Sequence, residues 1–483
     1  MTTASARPAT MGPVTDTWLA PADSADPAAR LDLAGRRLHF IGVGGSGMSG
    51  LARLAASLGA ACTGIDHLES PTTAAARDAG VTVSLDQSAA ALPDALDAVI
   101  ASAAIKPDHP QHAAATQRGV PVLKYADMLG RLMLGRAGVA IAGTHGKSST
   151  TAMLAHVLLA AGRDPSFILG ATCAQIGGSA RVGTGPTLLA EACEYDRSFH
   201  HLHPTHAVVL NVEADHLDYY ADLDEIVAAF AKFADRLPAH GSLLIQHECV
   251  HRLDIAGRTP AAVATLGFAP QADYRIAVDN GHAHLAHRKQ GHLMTFARPL
   301  PGEHMAYNAA AAAITAHTLG VDWPAIADAL STFRGLDRRM QTLGSRHGVT
   351  VVDDYGHHPT EVDAPLRALR QHHRPDRLIC VFQPHQHSRT RFLLDAFAAS
   401  FADADHVLIP DIYFVRDSEA ERRSVSAQDL VDRLTARGHD ARHLPDPADL
   451  LATIDSLAAP GTLLVTMGAG DINGIAHRYL SKA

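Results

Sequence analysis

Short apolar runs that break into glycine or an acid, each followed by a helical stretch, recur from Arg36 onward. Leu38-His-Phe-Ile-Gly-Val43 reads as a strand ending in glycines. Met48–Leu58 follows as an amphipathic helix, and Cys62–Asp66 and Ala98–Ser102 as further strands. Buried strands alternating with helices are the grammar of a parallel sheet. The pattern restarts at Gly138-Val-Ala-Ile-Ala142, again running into a glycine loop and a helix, and continues through Thr187–Ala190 and Ala207–Asn211. Residues 241–300 look like β-hairpin material; Tyr307–His317, rich in alanine, and Trp323–Thr332 then predict two helices. A third restart at Val349–Asp353 leads to strands at Leu378–Phe382, His406–Pro410 and Leu463–Met467. Three α/β units are expected, broken near 135 and near 338. Residues 1–34, rich in Ala, Pro, Thr and Asp and without periodicity, are expected to form a disordered tail.

Length and charge narrow the function classes. A chain of 483 residues has room for two to four domains, each with its own core. The net charge of −9 argues against a general grip on nucleic acid or an anionic membrane. No window of apolar residues is long enough to span a bilayer, and the start lacks a signal-peptide pattern. Cys62, Cys173, Cys193, Cys249 and Cys380 form no CxxC pair and read as reduced thiols of a cytoplasmic protein. Only six of the 41 basic residues are lysine, so a lysine inside a glycine loop is conspicuous.

Two glycine loops carry candidate chemistry. Gly42-Val-Gly44-Gly45-Ser46-Gly47 fits G-x-G-x-x-G between a strand and a helix, and Asp66 follows at the end of the next strand. Such glycines let the backbone approach a pyrophosphate at a helix N-terminus, while the acid takes ribose hydroxyls. On physical grounds alone NAD comes first, and a tight strand–helix turn is the bland alternative. The second loop, Gly143-Thr144-His145-Gly146-Lys147-Ser148-Ser149-Thr150, has two residues between its glycines where Walker A has four. Its chemistry still suits a nucleoside triphosphate: backbone N–H groups face phosphate oxygens, Lys147 reaches the β/γ-phosphates and Ser148 can ligate Mg²⁺.

Glu191 and Glu194 follow the strand Thr187–Ala190, and Asn211-Val-Glu-Ala-Asp-His216-Leu-Asp218 follows another. Acids and an imidazole at the C-terminal ends of parallel strands, beside a triphosphate loop, suit a Mg²⁺ site. Each acid alone is more often a solvated loop residue. Clusters among the 31 histidines lack any Cys/His or HExxH spacing, so zinc is not expected.

The sequence resembles the Mur ligases over about residues 38–474, and specifically their alanine-adding branch. Besides the two loops, the resemblance is carried by Glu191-Ala-Cys-Glu-Tyr195, Asn211–Asp218, Asp353-Asp-Tyr-Gly-His-His-Pro-Thr-Glu361, Phe382-Gln-Pro-His-Gln-His-Ser-Arg-Thr390 and Gly468-Ala-Gly-Asp-Ile472. It implies an N-terminal Rossmann-like domain over 35–135 for UDP, a central P-loop-type ATPase domain over 136–338, and a C-terminal Rossmann-like domain over 339–483 for the amino acid. Gly44, Gly45, Ser46, Gly47 and Met48 would then face UDP rather than NAD, with Asp66 and Ser102 on the same wall. Gly143, Thr144, His145, Gly146, Lys147, Ser148 and Ser149 would bind ATP, with Asn308 on the adenine side and Arg338 on the phosphate side. Lys147, His216, Arg338 and Glu191 would be the catalytic set, and Ser148, Glu191 and His216 the Mg²⁺ ligands, with Glu191 preferred over Glu194. Asp354, Tyr355, His357, His385, Arg389 and Thr390 would line the alanine face.

The activity so implied is ATP-dependent joining of L-alanine to the carboxylate of UDP-N-acetylmuramate through an acyl phosphate, the first amino-acid addition to a peptidoglycan precursor. Monomer or weak homodimer, cytoplasmic, with no nucleic-acid or membrane partner, completes that expectation. Three departures stand out: Ser148-Ser149-Thr150 replaces the usual threonines, Met305 stands where Asn is usual, and Gln386 where Arg is frequent. Lys232 is given no carbamylated role, because this branch lacks one. The rivals are a Mur ligase adding a peptide, told apart by its amino substrate, an NAD(P)-dependent oxidoreductase, told apart by a nicotinamide signal, and a non-catalytic nucleotide-binding regulator.

Overall fold

The computed structural model describes residue 19, residues 31–279 and residues 281–482. Its strands form three sheets. The first has five strands, all parallel, in the spatial order Thr82–Ser84, Ala61–Ile65, Arg37–Ile41, Ala98–Ala101, Val122–Lys124. The strand order reverses between Arg37–Ile41 and its neighbour Ala98–Ala101, and a crevice at such a switch point is where open α/β sheets take ligands. The glycine loop leaves the sheet there and enters the helix Ser46–Ser57. The expected tail lies mostly outside the described residues, but Leu33 is fully buried in this unit's core, so packing starts before residue 35.

The second sheet has ten strands. Ala137–Ala142 sits at its centre between His206–Val209 and Thr187–Ala192, parallel to both. Beyond Ala262–Gly267 the sheet turns antiparallel through Tyr274–Asp279, His282–His287 and Gly291–Ala297, the hairpin material the sequence suggests. Two helices, Lys147–Ala160 and Glu303–Thr318, cross this sheet buried over most of their length. From Met305 to Ala316 every residue is buried, and seven of those twelve are alanine. Small side chains let the two helix backbones approach closely, which a leucine-rich face would prevent.

The third sheet runs Gln341–Arg346, Val349–Asp354, Thr462–Met467, Arg377–Phe382, His406–Ile409, Asp440–His443, parallel except for its first, edge strand. Its apolar positions are fully buried from Leu378 to Phe382, as a strand covered on both faces requires. The C-terminal ends of its central strands face the second glycine loop, and a large cavity lies between them.

Candidate active site

The second glycine loop is held in a shape only glycine permits. Gly146 has φ +84°, and a Cβ there would stand 2.6 Å from Asn308 Oδ1. Asn211 clamps the loop from the neighbouring strand end: its carbonyl accepts from Thr144 N at 3.1 Å and its Oδ1 from His145 N at 2.7 Å. The helix Lys147–Ala160 starts at Lys147, so its unpaired N–H groups and dipole face the cavity.

Around that helix start the buried charges are paired. Lys147 Nζ donates to Glu194 Oε2 at 2.9 Å and to the Thr144 carbonyl at 3.1 Å. Burial works against the ammonium, but Glu194 and its acidic neighbours outweigh it and raise its pKa. For Glu194 the balance is the mirror image: burial opposes ionisation, and Lys147 and His216 hold the carboxyl below its ordinary range. Ser148 Oγ donates to Glu191 Oε2 at 3.0 Å, while Glu191 Oε1 accepts from Gly170 N at 2.6 Å. His216, at φ +54°, places Nε2 3.5 Å from Glu194, and its buried Nδ1 has no partner.

The third unit supplies the opposite wall. Asp215 accepts from Arg389 Nη2 at 2.9 Å across the interface, and both residues are buried. Burial disfavours that carboxylate, but Arg389 overrides it and drives its pKa far down. His145 Nδ1 lies 3.2 Å from Glu361, and Thr360 Oγ1 donates to Glu213 at 2.6 Å. Burial disfavours a charged His145, yet Glu361 and Glu213 raise its pKa to about 9. His357 and His385, whose rings lie 5.8 Å apart, are pushed down to about 4 and about 3, in each case chiefly by burial, and stay neutral.

These groups line a cavity of about 770 Å³ that holds Lys147, Ser148, Glu191, Glu194, His216, Tyr355, His357, His385 and Arg389. A second cavity of about 560 Å³ adjoins it, sharing His145, Gly146, Arg339 and Glu361. Phe268, His304, Met305, Tyr307 and Asn308 line the second, beside the second glycine loop. Burial lowers His304 to about 4, so a neutral imidazole faces that cavity.

Three family models match successive parts of the chain: "Mur ligase family, catalytic domain" over 37–137, "Mur ligase middle domain" over 141–316 and "Mur ligase, glutamate ligase domain" over 338–470. A UDP-N-acetylmuramate–L-alanine ligase of Sorangium cellulosum is 40% identical over 445 residues, covering 91% of this chain and 94% of the relative. The chain belongs to the Mur ligase family. The same enzyme of Streptomyces avermitilis is 38% identical, covering 94% of this chain and 99% of the relative. Among solved structures, the UDP-N-acetylmuramate–alanine ligase of Thermotoga maritima matches with a TM-score of 0.75 at 26% identity over 92% of this chain and 98% of that one. A murein peptide ligase of Psychrobacter arcticus matches with 0.68 at 25% identity over the same shares.

Within this Mur ligase, several residues stand differently from their sequence reading. Glu191 lies inside the strand Thr187–Ala192, level with Ile141, not after its end. Arg338, read as a phosphate-side arginine, spends its guanidinium on Asp353 (3.1 Å) and on the carbonyls of Gly468 and Gly470. Its neighbour Arg339 lines both cavities, 3.5 Å from Glu361, and was not singled out. Met48, read as facing UDP, is buried in the core of the first unit because the helix turns it inward. Asp66, read as taking ribose, accepts instead from Gly44 N at 2.7 Å and His67 N at 2.8 Å, bracing the loop. Thr390 is fully buried with its hydroxyl on the Gln386 carbonyl, so it does not line the alanine face. Asp354 accepts from Met340 N and Gly356 N, holding the joint between units rather than opening to the main cavity; burial pushes it up to about 6.

Among residues the sequence reading left without a role, Glu213, Asp215 and Glu361 sit inside its quoted motifs. Their partners across the interface are what a sequence cannot show. Ser102 stays at the first loop, where its Oγ accepts from Ala104 N and its Cβ crowds Gly42. Among the described residues no helix is long and apolar enough to cross a membrane.

Proposed function

We propose that the chain joins L-alanine to the carboxylate of UDP-N-acetylmuramate, with ATP converted to ADP and phosphate. The observation that carries this reading is the pairing of a full-length, 40%-identical relative of that name with a buried Lys147–Glu194–Ser148–Glu191 cluster at the helix start.

The chemistry follows from charge. A carboxylate is a poor acyl donor, so its oxygen attacks the γ-phosphorus of ATP, ADP leaves, and an acyl phosphate forms. The alanine amine then adds to the acyl carbon, loses a proton, and expels phosphate. Lys147 and the N–H groups of the loop hold phosphate oxygens, and Arg339, at the join of the two cavities, suits the phosphate being transferred. Phe268, His304 and Asn308 suit the adenine. Ser148 and Glu191, with Glu194 alongside, offer the hard oxygen ligands that fit Mg²⁺, and His216, whose buried Nδ1 is unpartnered, would complete the set. Bound there, Mg²⁺ would neutralise charge on the phosphates. In the first loop Gly45, Ser46 and Gly47, at the start of the helix Ser46–Ser57, suit the UDP diphosphate, with Gly44 braced by Asp66. Tyr355, His357, His385 and Arg389 line the wall that suits the amino acid. We read the protein as cytoplasmic, in keeping with five free cysteines, and as monomer or weak homodimer.

The test is phosphate release from ATP and Mg²⁺ with each co-substrate omitted in turn. Release that requires both UDP-N-acetylmuramate and L-alanine supports the reading. Release that prefers a peptide over alanine would assign the chain to the peptide-adding branch.

A further inference from the structure

The main cavity contains five arginines or lysines, and four of them are already neutralised. Lys147 faces Glu194 at 2.9 Å, Arg338 faces Asp353 at 3.1 Å, Arg339 faces Glu361 at 3.5 Å and Arg389 faces Asp215 at 2.9 Å. The fifth is Arg416. Among the described residues it has no carboxylate within 4.0 Å, and its guanidinium lies over the Tyr195 ring, 4.8 Å from the centroid, across the interface between units. The adjacent Asp417 is spoken for: it accepts from the backbone N–H groups of His387 and Ser388 and from Ser388 Oγ, capping the short helix that carries Arg389.

Arg416 belongs to the wall that contains His385, Gln386 and Arg389. That wall offers an anionic ligand little else. His385 is held neutral, with burial the main cause and the neighbouring His357, Arg389 and Arg416 adding to it. Gln386 is an amide, and Arg389 is committed to buried Asp215. Arg416 is exposed to the cavity and has the left-handed φ of +62°, a backbone conformation that costs a non-glycine residue energy and is kept where the surroundings impose it. The same cavity holds the phosphate-side groups Lys147, Glu191 and Glu194, and Tyr195 directly follows Glu194 in the chain. An amino acid whose amine points to that side presents its α-carboxylate to the Arg416 wall.

We infer that Arg416 binds the α-carboxylate of the incoming amino acid, with the Tyr195 ring as the platform that aims its guanidinium. This rests on the ligase reading above. The interaction selects free amino acids over neutral amides or esters, because a carboxylate satisfies both N–H groups of the guanidinium fork and a carboxamide cannot match its charge.

The experiment compares the whole protein with Arg416→Ala and Arg416→Lys, using L-alanine and L-alaninamide as acceptors, with each substrate varied in turn while the others and Mg²⁺ are saturating. The expected result is a KM for L-alanine raised about 10- to 100-fold in Arg416→Ala, the size of one lost charge-assisted hydrogen bond. The KM values for ATP and the sugar nucleotide are expected to stay within about threefold. Preference for alanine over alaninamide, strong in the native protein, falls towards unity in Arg416→Ala and partly returns in Arg416→Lys. A merely structural role for the Tyr195 contact would raise all three KM values together and leave the alanine-to-alaninamide ratio unchanged, which overturns the inference. If the native protein itself shows no alanine-dependent turnover, the ligase reading falls and this inference with it. If native turnover depends on alanine but the ratio does not move in the variant, only this inference falls.

Discussion

Both glycine loops leave the middle of a parallel sheet and run into a helix, yet one is closed upon itself and the other is open to a cavity. In the first, Gly44 N is taken by Asp66 at 2.7 Å, Thr72 Oγ1 donates to the Gly44 carbonyl, and a Cβ on Gly47 would meet Tyr125 Oη at 3.0 Å. In the second, Asn211 holds the loop from behind, leaving the helix start, Lys147 and Ser148 facing the space between units. Glycine spacing therefore encodes only that a backbone must come close to something. What it comes close to is written in the buried charges that follow: Glu191, Glu194, Asp215 and His216 behind the second loop, and Asp66 alone behind the first. Tyr125 links the two regions. Its ring packs on Gly47, and burial, with the Glu191 carboxylate nearby, keeps its hydroxyl protonated.

The sharpest way to separate the loops is to change one residue in each. Lys147→Ala removes the phosphate-side cation and strands Glu194 as an unpaired buried acid, so kcat is expected to fall by about 10³-fold or more. Gly44→Ala puts a Cβ 2.8 Å from Asp66 Cγ and displaces the brace of the first loop. Its expected effect is smaller and confined to one substrate: about a tenfold rise in KM for the sugar nucleotide, with KM for ATP unchanged. Equal effects of Gly44→Ala on both KM values would erase the distinction between the loops.

Much of this was legible beforehand. The two loops, Lys147, Ser148 and the hairpins of 274–297 follow from local pattern, because strand, glycine and helix are read within a few residues of one another. The stretch 242–267, expected as hairpin too, is instead two parallel strands joined by a helix, and Asn308 was placed only by the resemblance. Met48 was misplaced because helix rotation, not motif membership, decides which face a residue takes. Arg338 and Arg339 could not be ranked by sequence, since the choice depends on Gly468 and Gly470, 130 residues away, accepting the first guanidinium. Arg416 carried no local signal; its significance comes from a count of partners that only the assembled cavity supplies.

The smallest expected effect concerns the contact between units around His145. Its pKa, about 9 against an ordinary 6.5, means the folded state holds the proton more tightly than the unfolded chain. The stability from this pairing is present in full below pH 6.5 and is lost as pH rises from 6.5 to 9. On its other side, burial notwithstanding, His145 and Thr360 hold Glu213 down to about 2, so that contribution is lost only as pH falls from the ordinary carboxylate range towards 2. Thermal melts should therefore show stability declining between pH 6.5 and 9 by on the order of 1–3 kcal/mol, and His145→Gln should flatten that decline. A native profile flat across this range would mean that His145 is not charged at the interface.

The central claim is that the second-loop cluster activates a carboxylate as an acyl phosphate for an amine to displace. The most direct test labels the UDP-N-acetylmuramate carboxylate with heavy oxygen and follows the label by mass spectrometry during turnover with L-alanine. One heavy oxygen is expected in each phosphate released, because the carboxylate oxygen that attacks ATP leaves with the phosphoryl group. Phosphate released without label, while the amide product accumulates, would contradict it.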